Sequence, residues 1–127
     1  MTLQERIIYA KLIVALARDD REEIRRLHFE EQGVRTKRND PEIGYLFSCF
    51  YNDRDSHDVC RGMNISNFID FLEAADPMVK VPDAYIMASR VSIMMRGMGK
   101  AFGLQLRISK LWEDEAQAFL KSQGIKY

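Results

Sequence analysis

Apolar residues recur along most of this chain at spacings of three and four, the period of a helix packed on one side. Leu3, Ile7, Ala10 and Val14, widened by Ile8, Leu12 and Ala15, make a broad apolar face, with Gln4, Lys11 and Arg18 along the opposite line. Thr2-Leu3-Gln4-Glu5 has the form of a capping box, so a first helix starts there and needs a substantial surface to pack on. Asp19-Asp20 interrupts the pattern and supplies an N-cap for a more polar second helix carrying Ile24, Leu27 and His28, closed at Gly33. The two predict a helical hairpin. Asp40-Pro41 starts a third helix, an N-cap followed by the residue favoured in the first turn, lined by Ile43, Leu46, Phe47 and Phe50.

From Asn52 to Asn64 the chain turns polar and loses its period, which reads as a surface loop. Ile65, Phe68, Ile69, Leu72 and Ala75 mark a fourth helix, stopped by Asp76-Pro77 because proline disfavours helical geometry at the residue before it. The fifth helix, Pro82 to about Phe102, is the most apolar: Met87, Val91, Met94, Met98 and Phe102 form one stripe, widened by Ile86 and Ile93. Ser89, Ser92, Arg96 and Lys100 read as its wet edge. Gly103 stops it, and a last helix with Trp112, Ala116, Phe119 and Leu120 runs to Gly124. No segment alternates convincingly as a strand and no repeat is visible. The expectation is an all-α fold of about six helices, one helical domain over 1–127.

Composition narrows the function classes. In 127 residues, 19 basic and 19 acidic side chains cancel, so no net field draws the chain to nucleic acid or an anionic membrane. Arg90 and Arg96 interrupt the best apolar run, from Ala84 to Phe102, which excludes a transmembrane span there. Cys49 and Cys60 follow no secretory signal and read as reduced thiols.

Several groupings contain chemically capable residue types. Gly97-Met98-Gly99-Lys100 with Gly103 has glycines and a lysine, but a phosphate loop needs a strand before the glycines and a helix opening after them. These glycines fall inside a helix and read as points of close helix approach or loosening. Ser56-His57-Asp58 holds the residue types of a hydrolytic triad, although a triad is defined by convergence in space and not by adjacency. Cys49, His57, Cys60 and His28 could gather on zinc but lack the short cysteine spacing of a zinc site. Arg35, Lys37 and Arg38 around Thr36 could hold a phosphate or meet an acidic partner, and read first as a solvated turn. Met78, Met87, Met94, Met95 and Met98 read as core filling before a partner groove. Arg96, on an apolar helix, must reach water, a carboxylate or carbonyls, and reads as a structural ion pair. Trp112 beside Glu113-Asp114-Glu115 reads as a packing ring with a solvated acidic face. No catalytic, cofactor-binding or metal-ligating residue is assigned.

Three stretches carry a resemblance. Tyr9-Ala10-Lys11-Leu12-Ile13-Val14-Ala15-Leu16-Ala17, then Asp19-Asp20 and Gly33, resembles the segment following the metal-binding Asp-Phe-Gly element of UbiB/AarF-type atypical protein-kinase-like proteins. Arg90, Met95-Arg96-Gly97-Met98-Gly99 and Phe102-Gly103-Leu104, followed by Trp112 and Ala116, resembles the helix and terminal tryptophan helix that end that family's domain. The resemblance runs from about Ile7 to Leu120, with 37–81 poorly matched.

It implies the C-terminal helical part of a kinase-like C-lobe, in a family associated with ubiquinone or other isoprenoid-lipid metabolism. The implied compartment is a mitochondrion or plastid in a eukaryote and the cytoplasmic face of the membrane in a bacterium. The family's ATP and Mg elements have no counterpart among these residues: its Lys-x-Gly-Gln signature, alanine-rich nucleotide loop, ATP-contacting lysine, catalytic Asp with its Asn, and Asp-Phe-Gly aspartate would all lie ahead of Met1. The resemblance therefore implies no cofactor held by this chain and no phosphoryl transfer by it alone, because that chemistry rests on positioning and electrostatics from those parts. Its implied partners are an upstream kinase-like lobe, or a second copy meeting exposed apolar faces of the first and fifth helices. A longer ATP-dependent enzyme of which this is the tail, and an unrelated helical adaptor with a methionine groove, are the alternative readings.

Overall fold

The computed structural model describes residues Met1–Tyr127, and the fold is all-α with a minor sheet. Its elements are α1 (Leu3–Arg18), α2 (Arg21–Arg26) continued by a π-helical turn (Leu27–Glu31), β1 (Arg35–Thr36), α3 (Pro41–Asn52), α4 (His57–Cys60), α5 (Ile65–Ala75), β2 (Met78–Lys80), α6 (Asp83–Ala101) and α7 (Ile108–Ser122). The helix beyond the six expected is α4, a single turn too short to leave a period in the sequence.

The predicted caps are in place. Thr2 Oγ1 accepts from the Glu5 amide while the Glu5 carboxylate accepts from the Thr2 amide, closing the capping box. Asp19 ends α1 in the left-handed region and Asp20 opens α2. Asp40 caps α3 with Pro41 in its first turn; α5 has in addition an N-cap the periodicity did not single out, Asn64.

Helix α1 is the axis of the fold. From Leu12 to Ala17 every residue is buried, so this stretch is covered all round and not on one face. On one side Leu12, Leu16, Ile24, Leu27, Leu46, Phe50, Phe68 and Leu72 form the larger core with α2, α3 and α5. On the other, Ile13 and Val14 meet Ala116 and Leu120 of α7, with Trp112 packed against them.

Three expectations are corrected. Short strands do form: β1 and β2 pair antiparallel through Arg35 with Lys80 and Thr36 with Met78, joined across a register irregularity. Strands of two and three residues cannot display alternation in a sequence. The polar stretch 52–64 is not simply a surface loop, because Asn52, Asp53, Arg54, Val59 and Cys60 are buried and α4 lies within it. Finally, α6 is turned the opposite way from its amphipathic reading. Met87, Met94 and Met98 are each nearly 60 % exposed, while Ser92 and Arg96 of the expected wet edge are buried, with Gly99 beside them. Small residues let this side approach α3 closely, and Arg96 finds a carbonyl there.

Candidate functional site

The densest cluster of chemically capable groups lies where the ends of α1 and α3 meet the start of α7. Chain geometry assembles it: Asp53 terminates α3 and projects a fully buried carboxylate toward the first amides of α7. Asp53 Oδ1 accepts from the Ser109 amide at 2.9 Å, giving α7 the cap that its own Arg107 does not supply. Asp53 Oδ2 accepts from Arg54 Nη1 at 2.6 Å and Arg107 Nε at 3.0 Å. Arg54 also donates to Asp58 at 2.9 Å and lies 3.5 Å from Asp19, whose carboxylate accepts from the Tyr45 hydroxyl. Arg107 Nη2 donates to the Leu16 carbonyl at 2.7 Å near the end of α1.

Both oxygens of the buried carboxylate are engaged, and every nitrogen of the Arg54 guanidinium faces an acid. A cluster of this kind fixes three helix ends, with its buried carboxylate spent on Ser109, Arg54 and Arg107 and, of its acids, only Asp19 and Asp58 facing solvent. The sequence reading missed it. Its signal in the sequence is Asn52-Asp53-Arg54-Asp55, charges of both signs directly after an aromatic helix, which a polar surface loop would carry equally well.

A second polar seam runs between α1, α3 and α6. Asn52 Oδ1 accepts from the Tyr9 hydroxyl at 3.1 Å and from Ser89 Oγ at 3.2 Å. Two turns further along α6, Arg96 is 4 % exposed and donates to the Phe50 carbonyl at 2.5 Å, with its guanidinium 6.0 Å from the Phe50 ring centre. The expected ion pair is thus replaced by carbonyl ligation. Burial pulls this guanidinium below its ordinary pKa, with Asp55 and Asp53 opposing.

The remaining candidates separate. Gly97 and Gly99 lie within α6, where the helix engages its amides, and Lys100 pairs with Asp55. Gly99 lies against Leu106, so close that an added Cβ would sit 2.7 Å from Leu106 Cδ1, whereas Gly97 faces open space. Ser56 donates to Asp58 directly, and Asp58 also accepts from Arg54, so the histidine does not stand between serine and acid.

Cys49 is buried in the larger core, where burial pushes its thiol up to about 12, and burial also raises Cys60. His28 is buried against Phe29 and Phe47, with Nδ1 3.0 Å from Ser48 Oγ; burial lowers it to about 4. No three His, Cys, Asp or Glu side chains converge as a metal site.

The basic turn already holds an anion of its own chain. Asp76, 3 % exposed, accepts from Thr36 Oγ1 at 2.6 Å and from the amides of Arg38 and Asp40 at 2.7 and 2.8 Å. Burial opposes ionisation of this carboxyl, and these donors together hold it below the usual carboxylate range. The seat a phosphate would take beside Thr36 is therefore filled.

An open surface lies between the first and last helices. Tyr9, Ala10 and Ile13 of α1 and Trp112 and Phe119 of α7 line an open, apolar groove of about 390 Å³. No helix is long and apolar enough to cross a membrane. No family model, curated protein or solved structure matches the chain.

Proposed function

We propose that this chain is the C-terminal helical part of a UbiB/AarF-like atypical kinase-like protein, a buttress with no catalytic centre of its own, serving a family role in ubiquinone or isoprenoid-lipid metabolism. The observation that carries the reading is what the motif residues do. Arg96 ties α6 to the end of α3 through the Phe50 carbonyl. Gly99 admits Leu106, Gly103 turns the chain with φ of 72°, and Trp112 packs α7 on α1. These are the duties of a scaffold corner. The groove between α1 and α7 is apolar and open, as the seat of an upstream helix would be.

The test is calorimetric titration of the chain with Mg-ATP. No saturable binding is expected, and micromolar binding would overturn the reading. The tail of a longer ATP-dependent kinase or ATPase is distinguished by the genomic frame ahead of the Met1 codon, which in that case encodes Asp-Phe-Gly within a few tens of codons. A helical adaptor is the second reading, favoured by the exposed methionines of α6. It predicts that a partner helix is captured by α6 and that the α1/α7 groove is dispensable.

A further inference from the structure

The two faces of α6 are unequal, and the apolar one is left uncovered by the rest of the chain. Toward α3 it turns Ser89 and Arg96, and between them Ser92 Oγ is buried without a hydrogen-bond partner. Away from α3 run Ala84, Met87, Val91, Met94, Met98 and Ala101, at successive spacings of three, four, three, four and three. That alternation is the seam of a coiled coil, narrower than the face a helix lays on a globular core. Met87, Met94 and Met98 are 58, 59 and 58 % exposed, and Phe102, one residue beyond the helix, is 80 % exposed.

We propose that this seam pairs with the same seam of a second copy, the two α6 helices packing antiparallel about a two-fold axis between Val91 and Met94. The apolar area it exposes, on the order of 600 Å², is at the upper limit for a monomer's surface and approaches the ~800 Å² per partner of a standard interface. The spacing selects the orientation. Three-four-three-four-three reads the same in both directions, so the antiparallel pair sets Ala84 on Ala101 of the partner subunit and Met87 on Met98 of the partner subunit and opposes the helix dipoles, whereas a parallel pair stacks like ends.

Gly97 supplies an independent pointer. It borders the seam in the helix body with nothing within 4 Å of an added Cβ, so nothing inside the chain requires a glycine there. A partner helix does, since the missing side chain leaves room for it. A membrane is a poorer fit: Arg90 is the cation beside the seam, and Lys100 already pairs with Asp55. Association through α6 is independent of the family reading.

Analytical ultracentrifugation of the chain up to about 200 µM, where a ~10 µM dimer is mostly formed, is the primary test. A concentration-dependent dimer is expected. Met94→Lys, which would bury an unpaired charge beside the axis, should weaken it at least ~10-fold while leaving the melting of the monomer in place. Gly97→Ala should raise the monomer's melting temperature and yet weaken the dimer. Oxidation of mixed Ala84→Cys and Ala101→Cys chains should form the mixed disulfide, and neither chain alone should cross-link, since Cys49 and Cys60 are buried. A wild-type chain that stays monomeric overturns the proposal. So does a dimer indifferent to Met94→Lys, a disulfide between Ala84→Cys chains alone, or a monomer whose α6 binds neutral lipid vesicles instead. None of these outcomes bears on Mg-ATP binding.

Discussion

Asp53→Asn tests whether the buried charge cluster is what holds the last helix in place. The substitution keeps shape and one acceptor, so the Ser109 amide can still be capped, but it sets an amide N–H against Arg54 and Arg107 where Oδ2 accepted from both. Removing one partner of a buried ion pair costs about 3–5 kcal/mol. Arg54 retains Asp58 and Asp19, and Arg107 is about one third exposed and can turn to water, so the expected loss is the lower ~2–3 kcal/mol. Against a total of about 5–15 kcal/mol, that is a drop of roughly 10 °C in Tm for a chain of this length.

Urea unfolding followed by helical circular dichroism gives the value directly. An Asp53→Asn, Arg107→Gln cycle should show coupling of about 0.5–2 kcal/mol because the two side chains share one oxygen. A loss below ~1 kcal/mol, or strict additivity, would refute the assignment of Asp53 as the clamp between α3 and α7.

Three other outcomes follow from the same physics. His28 is neutral in the fold, with its pKa lowered to about 4 by burial, and about 6.5 when unfolded, so its contribution is complete above ~6.5 and lost as pH falls toward about 4. Between pH 7 and pH 5 the chain should lose about 2 kcal/mol in urea unfolding, and His28→Gln should flatten that slope; Asp76, held below the carboxylate range, loses its contribution only at lower pH. Gly44→Ala puts a Cβ 2.5 Å from the Phe29 ring and should cost about 1–3 kcal/mol by thermal melting, whereas Gly97→Ala in open space should gain up to ~1 kcal/mol. Cys49, buried with its thiol pushed up to about 12, should react with a disulfide reagent only as fast as the chain unfolds.

The elements with local signatures were legible in the sequence. Thr2-Glu5, Asp20, Asp40-Pro41 and the positive-φ glycines at 33, 103 and 124 act within a few residues, so their meaning does not depend on what packs nearby. The polar interior was not legible, because its partners are far apart in the chain. Asp53 is satisfied by its neighbour Arg54 and by Arg107 and Ser109 more than fifty residues on, and Asp76 by residues 36 to 40; the mixed charges at 52–55 mark the first site only by their type and nothing near Asp76 announces the second. A Thr-flanked basic turn looks the same whether the anion it holds is a phosphate or the chain's own aspartate.

Helix α6 is the sharper case, because the sequence carries its period but not its direction. Hydrophobic periodicity says that one face is to be covered, without saying by what. Inside this chain the covered face is the one with Arg96 and Ser92, a choice that makes sense only if Arg96 has a ligand no solvent-facing position could offer. The Phe50 carbonyl at the end of α3 is that ligand. Once Arg96 is fixed there, the methionine seam on the opposite side of the same cylinder must face outward; it cannot be turned in without releasing a buried guanidinium. The exposed seam is thus a consequence of the interior contact, and whatever covers it has to come to the helix as the chain already presents it.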